Sequence, residues 1–158
     1  MSKLSHNYVY KSPIGLIGIR TNGVCLLELK FLDKNLALKA PNDNLSEKIF
    51  NQLDSYFKKE IRKFDLPIDV SGTNYQMKVW RKILKVSYGK TITYTDLART
   101  INSHPRPVGN ACRVNKLHLI IPCHRIVGKT NLGGYNGIKE IIPGDTSRKE
   151  FLINHEVV

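Results

Sequence analysis

The chain has 158 residues, with 25 lysine and arginine residues against 13 aspartate and glutamate residues and a formal net charge of +12. This length allows one domain or two small ones, and no apolar run approaches the ~18 residues that a membrane-spanning helix needs. The three cysteines are odd in number and far apart, which argues against a disulfide framework or a Cys-x-x-Cys metal site. With no charged-then-apolar leader either, we expect a soluble intracellular protein.

The excess positive charge lies mainly in the second half of the chain. Residues 1–71 carry 11 basic and 8 acidic side chains, whereas residues 72–158 carry 14 and 5. Lysine and arginine neutralise phosphates and release counterions, so this distribution suits a polyanionic partner. A solvated lysine-rich surface would give the same composition, and charge alone does not separate the two.

The first half predicts a small antiparallel sheet covered by one helix. Three short runs rich in β-branched and apolar residues occur at residues 7–11, 15–20 and 24–31. Asn22-Gly23 separates the last two, and this dipeptide is a strong hairpin signal. A helix begins at Asn44 or Ser46 and runs to about Lys59, with apolar residues at helical spacing. Cys25 falls in the third run and is interpreted as structural.

The second half predicts a series of helices after a linker. Residues 64–72 contain proline and glycine without a helical period, which divides the chain into domains at 1–71 and 72–158. Thr73 opens a capping box, Thr93 offers a second cap, and Pro105 suits the first turn of a third helix ending near Val114. Two short helices joined by a tight turn form a helix-turn-helix. A last helix is expected over residues 146–155.

The segment before Cys123 predicts that this cysteine is held in a position suited to a nucleophile. Residues 117–121 are mostly apolar, and we interpret them as a short buried strand that stops at Pro122. Cys123 would then lie at the end of rigid backbone, where His124 and Arg125 could lower the pKa of its thiol. The alternative is that Cys123 is a small buried apolar residue. A glycine-rich loop, residues 128–137, follows and is interpreted as a wing or active-site loop.

Several motifs agree on one resemblance. They are Ile121-Pro122-Cys123-His124-Arg125, Asn115 before it, Gly133-Gly134-Tyr135 after it, the upstream segments 88–94 and 106–111, and His155-Glu156. Together they resemble the O6-alkylguanine-DNA alkyltransferases, also called methylated-DNA-protein-cysteine methyltransferases. The resemblance covers most of the second half of the chain.

The resemblance implies a fold and an activity. The fold is an α/β N-terminal domain, a small antiparallel sheet plus a helix of ribonuclease H-like type, followed by a mainly α winged-helix domain. The activity is irreversible transfer of a methyl or larger alkyl group from O6 of guanine, and from O4 of thymine, in double-stranded DNA. We expect a monomer that lies in the cytoplasm in association with the nucleoid, or in the nucleus if the source is eukaryotic, with no cofactor and no metal.

The family's catalytic roles transfer to five residues by the same resemblance: Cys123, His124, Glu156, Tyr94 and Asn115. Cys123 accepts the alkyl group, and His124 acts on it as a base through a water. Glu156 orients His124 and stabilises the charge that it acquires. Tyr94 donates a hydrogen bond to the departing guanine, and Asn115 holds the turn beside the cysteine.

The DNA and substrate contacts are implied in the same way. Backbone groups of Cys123, Ile126 and Asn136 would read the flipped base, with Tyr94 and Tyr135 in the same pocket. Arg106 would fill the gap that the flipped base leaves. Further DNA contacts are expected from the helix and its surroundings: Tyr94, Gly109, Ala111, Arg113, Lys116 and Arg125.

Three other functions compete with this interpretation. A non-catalytic lesion-binding protein of the same family would lack the cysteine, which is present here. A winged-helix transcription regulator would have no need of the Pro-Cys-His-Arg motif. A cysteine hydrolase would use a histidine remote in sequence and an oxyanion hole, which nothing in the sequence specifies.

Overall fold

The computed structural model describes residues 6–131 and 147–157. Tyr135 and Asn136, two of the predicted substrate contacts, lie outside the described residues, as does most of the glycine-rich loop. The chain divides into two units, one up to Val70 and one from Ser71 onward. Within the described residues no helix is long and apolar enough to cross a membrane.

The first unit contains the predicted sheet and helix. Its strands are β1 (Tyr8–Ser12), β2 (Gly15–Thr21) and β3 (Leu26–Phe31), antiparallel in the order β1-β2-β3. Helix α1 (Asn44–Phe57) begins after the N-cap Asp43, which forms a capping box with Ser46. Ile49 and Leu53 of α1 are fully buried, as the predicted apolar face requires.

The third strand begins later than the sequence predicted. The side-chain oxygen of Asn22 accepts hydrogen bonds from the backbone N–H groups of Val24 (2.9 Å) and Cys25 (2.8 Å). Asparagine commonly closes a turn in this way, and the two captured N–H groups are then unavailable to a strand ladder. Cys25 therefore lies in the turn and not in the strand.

The second unit is mainly helical, as predicted. Its elements are α2 (Asn74–Ile83), β4 (Ile92–Thr93), α3 (Tyr94–Thr100), α4 (Pro105–Arg113), β5 (Ile126–Val127) and α5 (Arg148–His155). Thr73 and Thr93 are the N-caps of α2 and α3 through their side-chain oxygens, and Pro105 begins α4. These local signals were sufficient to place three helix starts.

Helices α3 and α4 form the helix-turn-helix. The turn between them contains Asn102 with φ 53°, a left-handed conformation that asparagine tolerates better than most residues. The indole Nε1–H of Trp80, on α2, donates a 2.9 Å hydrogen bond to the carbonyl of Ala111. This buried contact ties the C-terminal half of α4 to α2.

The predicted strand at residues 117–121 is wrong. The segment is a succession of turns, in which the N–H of Ile120 bonds the carbonyl of His118 (2.8 Å) and the N–H of Ile121 bonds that of Leu117 (2.9 Å). Leu119 has φ 70°, a conformation incompatible with a strand. The segment is nevertheless buried, so the apolar pattern indicated burial correctly and the type of structure incorrectly.

Candidate active site

Cys123 opens a single 3₁₀ turn, Cys123–Arg125, directly before β5. β5 pairs in parallel with β4, with Ile92 opposite Ile126. Because β4 leads straight into α3, this pairing holds the turn beside the N-terminus of α3, where Tyr94 lies. Cys123 is 3% exposed and Ile126 is fully buried. The thiol is therefore presented from the interior of the second unit.

Asn115 organises the turns that precede the cysteine. Its side-chain NH₂ donates hydrogen bonds to the carbonyl of Ile121 (2.8 Å) and to Sγ of Cys123 (3.1 Å). Its side-chain oxygen accepts from the N–H of Leu117 (2.9 Å). These bonds replace the ladder that a strand would have supplied, and they set the distance between Cys123 and the end of α4.

The two residues that follow the cysteine belong to a buried acid-base cluster. Nε2 of His124 lies 2.9 Å from one carboxylate oxygen of Glu156, the C-cap residue of α5. Arg125 donates to both carboxylate oxygens from Nε (2.8 Å) and Nη2 (3.0 Å), and from Nη1 to the carbonyl of Val86 (2.6 Å). Its guanidinium also lies 5.7 Å from the ring centroid of Tyr88. Arg125 thus holds both oxygens of Glu156, one of which also faces His124.

The charges in this cluster follow from burial and hydrogen bonding. Burial alone would raise the pKa of Glu156, but hydrogen bonds from His124 and Arg125 outweigh it and hold that pKa far below its usual range. Burial lowers the pKa of His124, although Glu156 opposes the shift. At neutral pH the pair is a carboxylate and a neutral imidazole. Because the carboxylate can only accept, Nε2 carries the proton and the basic lone pair is on Nδ1.

Lys149 was not among the predicted site residues, yet it lies in the site. Its ammonium donates a 3.0 Å hydrogen bond to the hydroxyl of Tyr94, and the residue is 1% exposed. Burial lowers the pKa of Lys149 to about 8, although the neighbouring thiols Cys112 and Cys123 oppose the shift when charged. Lys149, Leu152 and Glu156 are spaced along one buried face of α5, and this helical spacing could have indicated the lysine.

The thiol of Cys123 is not acidified in the way that the sequence suggested. Burial raises its pKa well above the ordinary value, and contact with the thiol of Cys112 raises it further. Asn115 and Lys149 act in the opposite direction but do not prevail. The adjacent His124 supplies no positive charge because it is neutral, and the guanidinium of Arg125 is bonded to Glu156. The expectation of a lowered pKa is therefore corrected.

The predicted DNA-contacting residues that belong to α4 fall on two faces of that helix. Arg106 and Arg113 are exposed, with Asn110 between them on the same face. A Cβ atom built on Gly109 would meet no atom within 4 Å. Ala111 is buried at 3% exposure, and its carbonyl accepts the hydrogen bond from Trp80 of α2.

Two further cationic residues predicted to contact DNA are held within the second unit. The ammonium of Lys116 donates a 2.9 Å hydrogen bond to the carbonyl of Ser71. Arg125 is 8% exposed and directs its guanidinium inward. Among residues 6–131 and 147–157, no three histidine, cysteine, aspartate or glutamate side chains form a group that could hold a metal ion.

The fold and the site together define a two-unit protein whose helix-turn-helix unit presents a buried cysteine next to a histidine-carboxylate pair. Two family models match it: "6-O-methylguanine DNA methyltransferase, ribonuclease-like domain" over residues 6–70, and "6-O-methylguanine DNA methyltransferase, DNA binding domain" over residues 74–158. The chain belongs to the 6-O-methylguanine DNA methyltransferase family.

Individual relatives agree with this assignment. The methylated-DNA–protein-cysteine methyltransferase of Sulfolobus acidocaldarius is 33% identical over 128 residues, covering 81% of this chain and 82% of that protein. The enzyme of the same name from Sulfurisphaera tokodaii is 36% identical over 131 residues, with 81% and 82% covered. The crystal structure of Mycobacterium tuberculosis O6-methylguanine methyltransferase has a TM-score of 0.79 at 31% identity, covering 96% of this chain and 92% of that one. The same M. tuberculosis protein in complex with DNA gives a TM-score of 0.78 at 32% identity, covering 94% and 90%.

Proposed function

We propose that this protein repairs DNA by transferring an alkyl group from O6 of guanine, or O4 of thymine, to the sulfur of Cys123. The observation that carries the proposal is the two buried contacts Asn115–Cys123 and His124–Glu156, formed by adjacent residues in the unit that also carries the exposed basic face of α4. A soft thiolate is the best side-chain nucleophile for displacement at an alkyl carbon. The S–C bond forms as the O6–C bond breaks, and guanine leaves.

The proton of Cys123 goes to His124. The neutral imidazole has its lone pair on Nδ1, since Nε2 faces Glu156 at 2.9 Å, and a water carries the proton from the thiol. The imidazolium that forms is stabilised by the carboxylate, which Arg125 keeps ionised and fixed in place. Because the resting thiol is neutral, this proton transfer accompanies the reaction and does not precede it.

The departing guanine receives a proton at its ring nitrogen from Tyr94. Burial raises the pKa of the Tyr94 phenol, and the nearby thiols of Cys112 and Cys123 raise it further, so the phenol is protonated in the resting protein. Its oxygen accepts a hydrogen bond from Lys149, which directs the phenolic O–H elsewhere and stabilises charge developing on that oxygen. Lys149 is proposed as a positioning residue that acts through Tyr94.

DNA docks on the exposed face of α4. Arg113 neutralises a phosphate, and Gly109 lets the helix approach the duplex closely because it has no side chain. The target atom lies inside the double helix, so the nucleotide is flipped out and Arg106 fills the space that it leaves. Backbone groups of Cys123, Ile126 and Asn136, together with Tyr135, receive the base. Lys116 adds a phosphate contact while it remains bonded to Ser71.

The protein reacts once and is consumed. A thioether is stable, and none of the described residues of the cluster, Asn115, His124 and Glu156, carries a group that would cleave it. The test is incubation of the protein with an excess of duplex oligonucleotide containing O6-methylguanine, followed by intact mass and peptide mapping. We expect a plateau at one alkyl group per protein, on the peptide that contains Cys123.

Two variants serve as controls for this experiment. Cys123→Ala should abolish transfer and retain duplex binding, whereas Cys112→Ser should transfer normally. Turnover beyond one equivalent, or modification of Cys25 or Cys112, would refute the proposal. Sedimentation of the free and DNA-bound protein would test the further proposal that it acts as a monomer.

A further inference from the structure

A second concentration of positive charge lies on α2, outside the proposed docking face of α4. Lys78 and Arg81 are exposed on the helix, and Lys85 is exposed in the turn that closes it, where its N–H bonds the carbonyl of Lys82 (3.1 Å). Residues 70–95 contain five lysine and arginine residues and no aspartate or glutamate. Lys78, Arg81 and Lys85 together are called the α2 basic face. The mechanism above gives this face no part.

The charges of the α2 basic face are not neutralised by the part of the protein that the structure describes. None of the three residues forms an ion pair with a carboxylate of residues 6–131 or 147–157. Like charges three and four residues apart repel each other on a helix surface and destabilise the helix slightly. A polyanion that binds this face would therefore relieve the repulsion.

The α2 basic face is turned away from α4. Trp80 is 1% exposed, and its indole N–H reaches the carbonyl of Ala111 on α4 at 2.9 Å. An α-helix turns by about 100° per residue, so Arg81 lies about 100° and Lys78 about 160° around the axis of α2 from Trp80. A duplex on the exposed face of α4 therefore leaves these cations uncovered.

The length of the face suits the backbone of duplex DNA. Lys78 and Lys85 are separated by about 10 Å along α2 and its closing turn, at ~1.5 Å per residue. One strand of B-DNA carries a phosphate about every 3.4 Å along the axis, so this length spans about three phosphates, one for each cation. Long cationic side chains without an acidic neighbour bind phosphates and do not read bases, so the contact would be independent of sequence.

We propose that the α2 basic face binds the phosphate backbone of a second DNA segment while the first segment lies on α4. The protein then passes from one segment to the next through a complex with both, without being released into solution. Direct passage suits a protein that must find rare damaged guanines among a large excess of normal DNA. The inference rests on the proposed docking of DNA on α4, and the readouts below separate the two.

The test measures, by stopped flow, how unlabelled duplex displaces the full-length protein from a dye-labelled, undamaged duplex. With one docking face, the dissociation rate does not depend on the concentration of the competing duplex. With a second face, the rate should rise in proportion to that concentration. Three phosphate contacts give the affinity of the second face a salt exponent of about −2.7, so doubling the salt concentration should lower the proportionality constant by about 6-fold.

Charge reversal of the α2 basic face supplies the decisive comparison. The triple variant Lys78→Glu, Arg81→Glu and Lys85→Glu should dissociate at a rate that no longer depends on the competing duplex. Replacing the same three residues by glutamine is the milder variant if charge reversal disturbs folding, since glutamine favours a helix about as well as lysine and arginine do. Both variants should bind a short O6-methylguanine duplex, and react with it, as the wild type does.

Replacing Lys48, Lys58 and Lys63 by glutamine is the matched control, because these exposed lysines of the first unit give the same change in net charge as the glutamine variant. The control should keep the wild-type dependence on the competing duplex. Loss of that dependence in the control, or its absence in the wild type, would overturn the proposal.

Two other results would also overturn it. Weaker binding of the short duplex by the α2 variants would mean that α2 and α4 contact the same DNA segment. Acceleration of dissociation by poly-glutamate, and not by duplex, would assign the face to an acidic protein. Absence of transfer from the short duplex in the wild type would instead refute the proposed function, and the dissociation rates on undamaged duplex would still decide the role of α2.

Discussion

Lys149 donates a 3.0 Å hydrogen bond to the hydroxyl of Tyr94, and its ammonium lies 5.2 Å from the centroid of the same ring. The phenol oxygen is the acceptor in this bond, so the tyrosine keeps its own proton for a different partner. Burying the ammonium of Lys149 at 1% exposure costs folding free energy, and the proposed benefit is the orientation of the Tyr94 phenol. The energetic cost and the proposed benefit can be measured in the same variant.

Lys149→Met should make the protein more stable and a slower alkyl acceptor. The pKa of Lys149 is about 8 in the folded protein and ~10.4 when unfolded, so protonation favours the unfolded chain. Removing the buried charge should raise the free energy of unfolding at pH 7 by about 1–3 kcal/mol. Urea denaturation and single-turnover transfer rates measure the two effects. Lys78→Met, at an exposed position of α2, is the matched control.

The pH dependence of this stability has a definite sign. Between pH ~8 and ~10.4 the unfolded wild type binds a proton at Lys149 that the folded protein does not, so its stability should rise with pH. In Lys149→Met this contribution disappears. A wild type and a variant whose stabilities run in parallel from pH 7 to pH 10 would contradict the assignment.

Glu156→Gln should lower the free energy of unfolding most at neutral pH. The variant leaves Arg125 buried without its carboxylate, which costs about 3–5 kcal/mol in comparable buried pairs. Because the folded pKa of Glu156 is depressed, the stability it contributes is complete above its unfolded pKa of ~4.3 and is lost as the pH falls toward the folded value. Wild-type stability should thus fall more steeply below pH ~4.3 than that of the variant.

The transfer rate of Glu156→Gln should also fall, because the imidazolium of His124 loses its carboxylate. Glu150→Gln, at an exposed position in the first turn of α5, controls for the loss of a carboxylate from the same helix. If the two variants had equal stability and equal transfer rates, the buried cluster would have no special role.

Gly109→Leu should separate folding from DNA docking. The new side chain would meet no protein atom at its Cβ, and leucine favours a helix over glycine by up to about 1 kcal/mol. Thermal stability should be equal or higher, whereas duplex affinity should fall because the side chain prevents close approach. Reaction with free O6-benzylguanine should be unchanged. Wild-type duplex binding in this variant would show that α4 does not lie against the DNA.

Arg106→Ala and Arg113→Ala should impair different steps, base flipping in the first and phosphate binding in the second. If Arg106 fills the vacated stack, its loss should slow transfer from duplex DNA by about 10- to 100-fold and leave the free-base reaction nearly unchanged. If Arg113 contacts a phosphate, its loss should reduce the salt slope of duplex affinity by about one unit. Equal losses of Arg106→Ala with free base and with duplex would indicate a role in the pocket instead.

The thiol of Cys123 should titrate at alkaline pH in the free protein. Cys25→Ser combined with Cys112→Ser leaves it as the single thiol, and burial, the largest cause of its raised pKa, remains. The rate of its alkylation by iodoacetamide should continue to rise with pH above ~8.5, the pKa of an ordinary thiol. A plateau at or below that pH would mean that the resting protein holds a thiolate, and that His124 is not needed as a base.

Local signals in the sequence were sufficient for the helices. The side chains of Thr73 and Thr93 satisfy N–H groups three residues later, and Pro105 occupies a position where the missing N–H has no consequence. Each signal depends on a few neighbouring residues, so it does not depend on how the rest of the chain packs. The apolar face of α1 was predictable for the same reason.

Contacts between distant segments were not predictable in this way. The turns at 117–121 form because the side chain of Asn115 supplies hydrogen bonds that a strand would have obtained from a neighbour. Arg125 was predicted to contact DNA, but it faces Glu156, 31 residues away. Lys149 meets Tyr94 across 55 positions. The helical spacing of Lys149 and Glu156 indicates that they share a buried face of α5, but it does not specify which distant residues that face meets.

Trp80 gives the protein a built-in optical probe. It is the single tryptophan of the sequence, and its indole N–H is bonded to Ala111, the residue next to Cys112. Indole emission responds to hydrogen bonding and to the polarity around the ring, so any displacement of the end of α4 should change its wavelength or intensity. DNA docking and alkyl transfer could therefore each be followed in real time, in unlabelled protein, by fluorescence alone.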